Sequence, residues 1–280
     1  MLRNAHMTKL TNFSTTLIIL IASFTTYAVE PIIVAHRGAS KNAPENTIPA
    51  FTLAWEQGAD AIEGDFHLTQ DGEIVCIHDN STLKVSKRDF IVKETLLEDL
   101  RKLDVGRYKG RKFTGTLIPT IAEVFATIPD QKQIYIEIKS DESIVPKLVE
   151  EIKNSSLHIE QVTIISFNGK AIQAFKAVAP QYRALWLSSF KKKESGELIP
   201  SVDSVLTTLR QIKADGFSSN KDLIDESFIN TLTARGYEYH VWTVDKPKTA
   251  KRFKSWGAKS ITTNTPGYII KKLAAAKRPH

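Results

Sequence analysis

Between Ala35 and Asp79 the chain gathers an unusual density of side chains able to move protons or hold charge. His36-Arg37-Gly38 opens the stretch and Pro44-Glu45-Asn46-Thr47 follows. Glu63-Gly64-Asp65 and Asp71-Gly72 come next, and His78-Asp79 closes it. Glu63 and Asp65 stand two apart in an apolar run, so as strand residues they face the same side. Farther on, Ile136-Glu137-Ile138-Lys139 repeats that spacing. A glutamate and a lysine flanked by isoleucines on a buried strand are costly unless paired or bound to a metal. Three carboxylates converging from strand ends make an oxygen-rich site, which suits a hard cation such as Mg²⁺ or Ca²⁺ rather than zinc. His36 and His78 are not needed as ligands and titrate near neutrality, so they are free for acid–base work. Arg37 and Lys139 can hold a phosphate, arginine by bidentate hydrogen bonds. A divalent metal, a phosphate clamp and paired histidines together describe phosphodiester cleavage.

Each residue also has a plainer reading. His36 alone would be a hydrogen-bonded core histidine, but preceding Arg-Gly at a strand end it reads as functional. Glu63 and Asp65 can belong to a structural ion-pair network. Glu137 and Lys139, taken alone, fit a buried salt bridge equally well. Cys76, the only cysteine, reads as a small packing residue. Pro44–Thr47 can simply start a helix. Phe167 and Trp242, at strand ends, either line a pocket or pack.

The elements that must position these groups alternate. Candidate strands are Ile32–His36, Ala61–Leu68, Glu73–His78, Gln133–Lys139, Val162–Phe167, Arg183–Ser188, Ala214–Ser218, Glu238–Val244 and Ser260–Thr263. Candidate helices are Glu45–Gln57, Thr120–Ile128, Ser143–Asn154, Gly169–Val178, Ser201–Lys213, Asp225–Arg235, Pro247–Trp256 and Pro266–Ala276. Asp71-Gly72 is a hairpin signal, too short for a parallel crossover, so Glu73–His78 returns antiparallel on Ala61–Leu68. With Asp-Gly as a two-residue loop, Gln70 pairs with Glu73 and Asp65 lies opposite His78. Eight strands each followed by a helix then remain, the arithmetic of a (β/α)8 TIM-type barrel, with a doubly wound open sheet as competitor. Residues 79–118 read as a βα-loop insertion near the site mouth, with a helix over Glu94–Leu103.

Composition sets the bounds. The chain has 280 residues, 42% hydrophobic and 25% charged, which suits a folded core rather than disorder. The first 28 residues have the layout of a cleavable signal peptide. Arg3 and Lys9 give a basic start, Leu17–Ala22 begins an apolar core, and Thr26-Tyr27-Ala28 offers a cleavage site after Ala28. The apolar run is about ten residues, short of the roughly 20 that span a bilayer. The expectation is therefore a periplasmic or secreted protein, residues 29–280, with no stable membrane insertion of the mature chain. The formal charge is +7, and +5 without the leader's two cations. That balance favours anionic small molecules, while no arginine–aromatic stripe supports nucleic-acid binding.

At these residues the sequence resembles the glycerophosphodiester phosphodiesterase family. The matching pieces are Ala35-His36-Arg37-Gly38, Pro44–Thr47, Glu63-Gly64-Asp65, Leu68–Gly72, His78-Asp79, Ile118-Pro119-Thr120 with Glu123, Glu137-Ile138-Lys139, Ser166-Phe167 and Trp242-Thr243-Val244. They run in the family order from residue 32 to about 267. The resemblance implies a (β/α)8 barrel that hydrolyses glycerophosphodiesters to glycerol 3-phosphate and an alcohol. It implies His36 and His78 as the acid–base pair, and Glu63, Asp65 and Glu137 as ligands of Ca²⁺ or Mg²⁺. It implies Arg37 against phosphate with Lys139 supporting the charge. It also implies attack by the glycerol hydroxyl, giving a cyclic phosphate that water opens. Two departures stand out. The family often ends its last strand with Thr-Asp, where this chain has Thr263-Asn264; and Lys84-Val85-Ser86 replaces an arginine–threonine pair. Both are expected to lie outside the catalytic set and to bear on head-group recognition. The remaining alternatives are a lysophospholipase D-like enzyme on lipid substrates and a non-catalytic barrel that binds a phosphate ligand. The second has no use for two histidines and three carboxylates.

Overall fold

The structure is a computed structural model and describes residues 30–275. The leader expected at 1–28, and Ala276 of the helix expected over Pro266–Ala276, lie outside the described residues. The chain runs β1 (Ile32–Ala35), α1 (Ile48–Glu56), β2 (Ala61–Leu68), β3 (Ile74–Cys76), α2 (Leu97–Leu100), α3 (Ile121–Phe125), β4 (Gln133–Ile138), α4 (Val145–Asn154), β5 (Val162–Ser166), α5 (Gly169–Val178) and β6 (Arg183–Ser188). It continues through β7 (Lys191–Lys192), β8 (Leu198–Ile199), α6 (Val202–Ile212), β9 (Gly216–Asn220), α7 (Glu226–Thr233), β10 (Glu238–Trp242), α8 (Pro247–Ser255), β11 (Ser260–Thr263) and α9 (Pro266–Ala274).

The main sheet closes on itself. Its order is β1-β11-β10-β9-β6-β5-β4-β2, and β2 pairs back onto β1. All eight of these strands are parallel. The β1–β2 pairing, Val34 to Ala61 and Ala35 to Ile62, excludes the open doubly wound sheet. This is the (β/α)8 barrel.

Its cores follow from alternation. The outward residues of β2 and β4, Ile62, Phe66, Ile134, Ile136 and Ile138, are buried against the helices. The helices answer with apolar stripes, as in α4, where Val145, Leu148, Val149 and Ile152 are the buried positions. A second cluster lies inside the barrel, built on Val34, Ala61, Tyr135, Ile165, Leu185 and Leu187. A third, with Val75, Ile77, Val92, Leu100 and Ile118, seats residues 79–118 on β3.

The helix starts have local causes. Thr120 and Glu123 form a reciprocal capping box at α3. Asn168, Ser201 and Asp225 accept backbone N–H groups at α5, α6 and α7. Pro247 and Pro266 open α8 and α9, where the missing N–H has no helical partner to lose.

Several expected boundaries move. β1, β4 and β5 end one residue early, so His36, Lys139 and Phe167 are the first residues past their strands, and Val244 lies beyond β10. β9 starts at Gly216 because Ala214 closes the turn after α6, its N–H bonded to Leu209. Glu94–Leu103 is not one helix but a 3-10 turn at Val92–Glu94 followed by the single turn α2. The lysines at 191–193 enter a short antiparallel hairpin, β7–β8.

The β2–β3 hairpin differs from expectation by one residue. Phe66 pairs with Cys76 and Leu68 with Ile74. Thr69 N–H donates to Glu73 and Gly72 N–H to Thr69, so the loop holds three residues, with Gly72 at φ +80. A left-handed glycine after a tight turn adds the extra residue and shifts the register. Ile77, not His78, therefore bonds across to Asp65.

Candidate active site

The site sits at the mouth where the parallel strands end, the face on which (β/α)8 enzymes place their chemistry. Glu63, Asp65 and His67 point to one side of β2. Parallel pairing then sets Asp65 beside Glu137 on β4. One oxygen from each of Glu63, Asp65 and Glu137 lies within 4.8 Å of the others, and all three residues are buried.

Asp65 is the most tightly held of the three. Its backbone N–H donates to Asn46 Oδ1 at 3.1 Å, and Asn46 Nδ2 donates to its Oδ2 at 2.7 Å. Arg37 Nε lies 3.1 Å from Oδ2, and Lys139 Nζ lies 3.5 Å from Oδ1. Burial alone would raise its pKa, but Arg37 and Lys139 overcome this and hold it below the usual aspartate range. Glu63 and Glu137 go the other way. Burial, then the Asp65 charge, drives Glu63 well above its ordinary value and Glu137 to about 7. The Arg37 N–H to Glu63 Oε2 bond at 2.8 Å and the Lys139 to Glu137 Oε1 bond at 2.9 Å offset this only in part. Glu63 Oε1 and Asp65 Oδ1 are buried without a hydrogen-bond donor. Unsatisfied, mutually repelling carboxylate oxygens facing one point fit a divalent cation, whose charge relieves all three.

The first loop supplies the other walls. His36-Arg37-Gly38 turns sharply, with Arg37 at φ +55 and Gly38 at φ +76. A Cβ on Gly38 would stand 2.5 Å from the Ala50 carbonyl carbon, so only glycine lets α1 pack against this turn. Arg37 is pinned by Asp65 and by Glu45, 3.1 Å from its Nη1. Lys84 Nζ in turn lies 2.8 Å from Glu45 Oε1.

The histidines flank the carboxylates. His36 Nδ1 is 2.8 Å from Asn264 Oδ1, and burial followed by Arg37 lowers its pKa to about 4. His78 Nδ1 is 2.5 Å from Asp79 Oδ1. Its pKa is lowered by burial, then by Arg37 and Lys139, against the pull of Asp65. The one-residue hairpin shift does not remove His78, because the chain leaves the ladder after Ile77 and His78 lines the cavity.

A cavity of about 200 Å³ collects these groups. His36, Arg37, Glu63, His78, Glu137 and Lys139 line one side. Ile165, Leu187, Phe167 and Trp242 line the other, with Phe167 edge-on to Trp242 at 5.6 Å between ring centres. Phe167 is 47% exposed, an apolar surface at the rim. The structure thus brings every expected site residue to one place.

It adds residues that sequence reasoning left aside. Asn46 is a buried clamp on Asp65, held in the left-handed region at φ +58. Pro44–Thr47 is therefore not merely a helix start; α1 begins only at Ile48. The Pro-Glu-Asn-Thr run beside the first histidine was the available signal. Both departures from the family pattern also reach the site. Asn264 touches His36 directly, and Lys84 touches the partner of Arg37. They were expected to lie outside it because sequence distance hides the barrel's closure: β11 neighbours β1, which places residue 264 beside residue 36.

Comparison with known proteins agrees with this geometry. Residues 36–268 match the glycerophosphoryl diester phosphodiesterase family model. A glycerophosphodiester phosphodiesterase of Caldanaerobacter subterraneus is 35% identical over 247 residues, covering 86% of this chain and 97% of the relative. A Bacillus subtilis glycerophosphodiester phosphodiesterase is 26% identical, with 86% of this chain and 85% of the relative covered. Among solved structures, an Oleispira antarctica phosphodiesterase in complex with sn-glycerol-3-phosphate superposes with a TM-score of 0.80 at 26% identity, over 88% of this chain and 97% of that one. With a matching barrel, an acidic triad and a histidine pair at its mouth, this chain belongs to the glycerophosphoryl diester phosphodiesterase family.

Proposed function

We infer that the protein hydrolyses glycerophosphodiesters to glycerol 3-phosphate and an alcohol. The observation that carries this is the meeting of three buried carboxylates, two cationic side chains and two histidines around one cavity. Glu63, Asp65 and Glu137 would hold the divalent cation, Ca²⁺ or Mg²⁺, which when bound supplies Lewis-acid neutralisation of phosphoryl charge. Arg37 and Lys139 face the cavity and bind the phosphate oxygens. They remain cationic because neighbouring carboxylates hold both pKa values up against burial. His36 and His78 form the acid–base pair, one taking the proton of the attacking hydroxyl and the other giving one to the departing alcohol oxygen. Phe167 and Trp242 exclude water on the far side and contact the alcohol portion.

The basic, apolar and small-residue order of positions 1–28 supports export to the periplasm or medium. Among the described residues no helix is long and apolar enough to cross a membrane. The small cavity favours a deacylated substrate over a lysolipid. Side-by-side turnover of glycerophosphocholine and lysophosphatidylcholine tests this. Faster release from the former is expected; preference for the lysolipid would make the enzyme lysophospholipase D-like.

A further inference from the structure

We propose that Asn264, oriented by Asp245, is a positioning residue that fixes His36 as the Nδ1–H tautomer, making His36 Nε2 the proton acceptor and His78 the proton donor. The proposal rests on the reading of the two histidines as the acid–base pair and assigns their separate roles.

The hydrogen bonds decide the orientation of the Asn264 amide. Its Nδ2 lies 2.8 Å from Asp245 Oδ2, and its backbone N–H donates to Asp245 Oδ1 at 2.8 Å. Thr263 Oγ1 also donates to Asp245 Oδ1, at 2.9 Å. An ionised carboxylate only accepts, so the amide nitrogen must face Asp245. Asn264 Oδ1 then faces the other way, where Ser40 Oγ donates to it at 2.9 Å and His36 Nδ1 lies at 2.8 Å. A flipped amide would set its carbonyl against the Asp245 carboxylate. A carbonyl oxygen cannot donate, so the proton in the His36 bond belongs to Nδ1. His36 lines the cavity, and with Nδ1 engaged its remaining nitrogen is Nε2. In the neutral ring that nitrogen carries a lone pair.

His78 is built differently. Its Nδ1 faces the charged acceptor Asp79, which works against the lowering of its pKa by burial, Arg37 and Lys139, whereas His36 faces a neutral amide. In the forward step, His36 Nε2 takes the proton of the attacking hydroxyl as its O–P bond forms. His78 gives its proton to the alcohol oxygen as that O–P bond breaks. When water attacks, the transfers run in reverse, and both rings return to their starting states.

Asp245→Asn and the exchanged pair Asp245→Asn/Asn264→Asp test this. In the single variant two amides meet and the orientation of Asn264 is no longer dictated. We expect kcat to fall by about 10–100-fold with KM nearly unchanged, the scale of losing a group that orients a working side chain. In the exchanged pair every bond is restored with donor and acceptor swapped, since Asn at 245 still accepts from Thr263 and the backbone and donates to Asp at 264. Activity should return. The acid limb of kcat/KM should move to higher pH, because His36 now faces a carboxylate in addition to Arg37, Glu45 and Asp65. The tautomer is read separately from turnover by ¹⁵N NMR of histidine-labelled protein, with the proton expected on Nδ1 of His36. A wild-type His36 carrying its proton on Nε2 overturns the proposal while leaving the phosphodiesterase reading intact. An exchanged pair no more active than the single variant also overturns it. A wild-type protein inactive on glycerophosphodiesters overturns the phosphodiesterase reading instead.

Discussion

Two clusters of ionisable groups lie at opposite ends of the same barrel, and they are balanced in opposite ways. At the N-terminal end, Glu238, Arg183 and Ser260 begin their strands around the buried His240. Arg183 Nε and His240 Nε2 lie 3.1 and 3.2 Å from the same Glu238 oxygen, and His240 Nδ1 meets Ser260 Oγ at 2.7 Å. One carboxylate there has two basic partners. Burial would raise the Glu238 pKa, but the bond to His240 and the Arg183 charge lower it instead. At the C-terminal end three carboxylates share Arg37 and Lys139, and Glu63 and Glu137 are pushed up. The first cluster is complete as a piece of protein. The second is electrostatically incomplete, and that incompleteness marks a binding site rather than a structural network.

The comparison is broken most severely if the two ends behave alike on mutation. His36→Ala and His78→Ala should each lower kcat by about 10²–10⁴-fold with the fold retained. Glu238→Gln should leave kcat unchanged and lower the melting temperature, because Arg183 and the buried His240 lose their anion. Steady-state kinetics and thermal melts on the three variants check this; a normal rate in either histidine variant removes that residue from the chemistry.

A smaller effect concerns the metal-free protein. Glu137→Gln should abolish cation binding yet raise the melting temperature by a few degrees above pH 7, since a strained carboxylate is removed (about 1 kcal/mol shifts a domain of this size by roughly 2–4 °C). The pH dependence sharpens the point. His36 is held near 4, below its ordinary 6.5, so its contribution to stability is complete above 6.5 and is lost as pH falls through 4. Glu137 is held near 7, above its ordinary 4.5, so its contribution is complete below 4.5 and is lost as pH rises through 7. The two slopes oppose each other between 4.5 and 6.5. Above 6.5 only the carboxylate slope remains, and Glu63 extends it in the same direction. Denaturant melts of chelated protein should therefore show stability declining above pH 6.5. Added divalent cation should remove that decline, and Glu137→Gln should lessen it.

The smallest expected effect is on the apolar wall. Phe167→Ala and Trp242→Ala should raise KM by about three- to tenfold with kcat nearly preserved, because both line the cavity and the role proposed for them is contact with the alcohol portion rather than with the reacting atoms. Loss of kcat in either would move it into the catalytic group.

How much of this was legible beforehand varied with the kind of interaction. The strand–helix alternation and the i, i+2 carboxylates were readable because strand and helix periods are written locally, and β2 and β6 have the expected limits. His36, Lys139 and Phe167 were found as strand-end residues although they lie one step past the ladder. The hairpin register was not readable, since Asp71-Gly72 fits both a two-residue loop and the three-residue loop that formed, and only tertiary packing selects between them. Asn46 is not marked as a site residue in the sequence, and Asn264 reads there as lying outside the catalytic set, for a related reason. An asparagine carries no charge to mark it, and its role depends on what barrel closure places opposite. Residues 36 and 264 meet only because the last strand lies beside the first.

The most direct measurement follows glycerol 3-phosphate release from a glycerophosphodiester by ³¹P NMR. Wild type, Asp65→Asn and Glu238→Gln are compared, with and without chelator. Release by wild type and Glu238→Gln, abolished by chelator and by Asp65→Asn, is predicted. Undiminished release in excess chelator, or by Asp65→Asn, would contradict a metal-dependent site built on the carboxylate cluster.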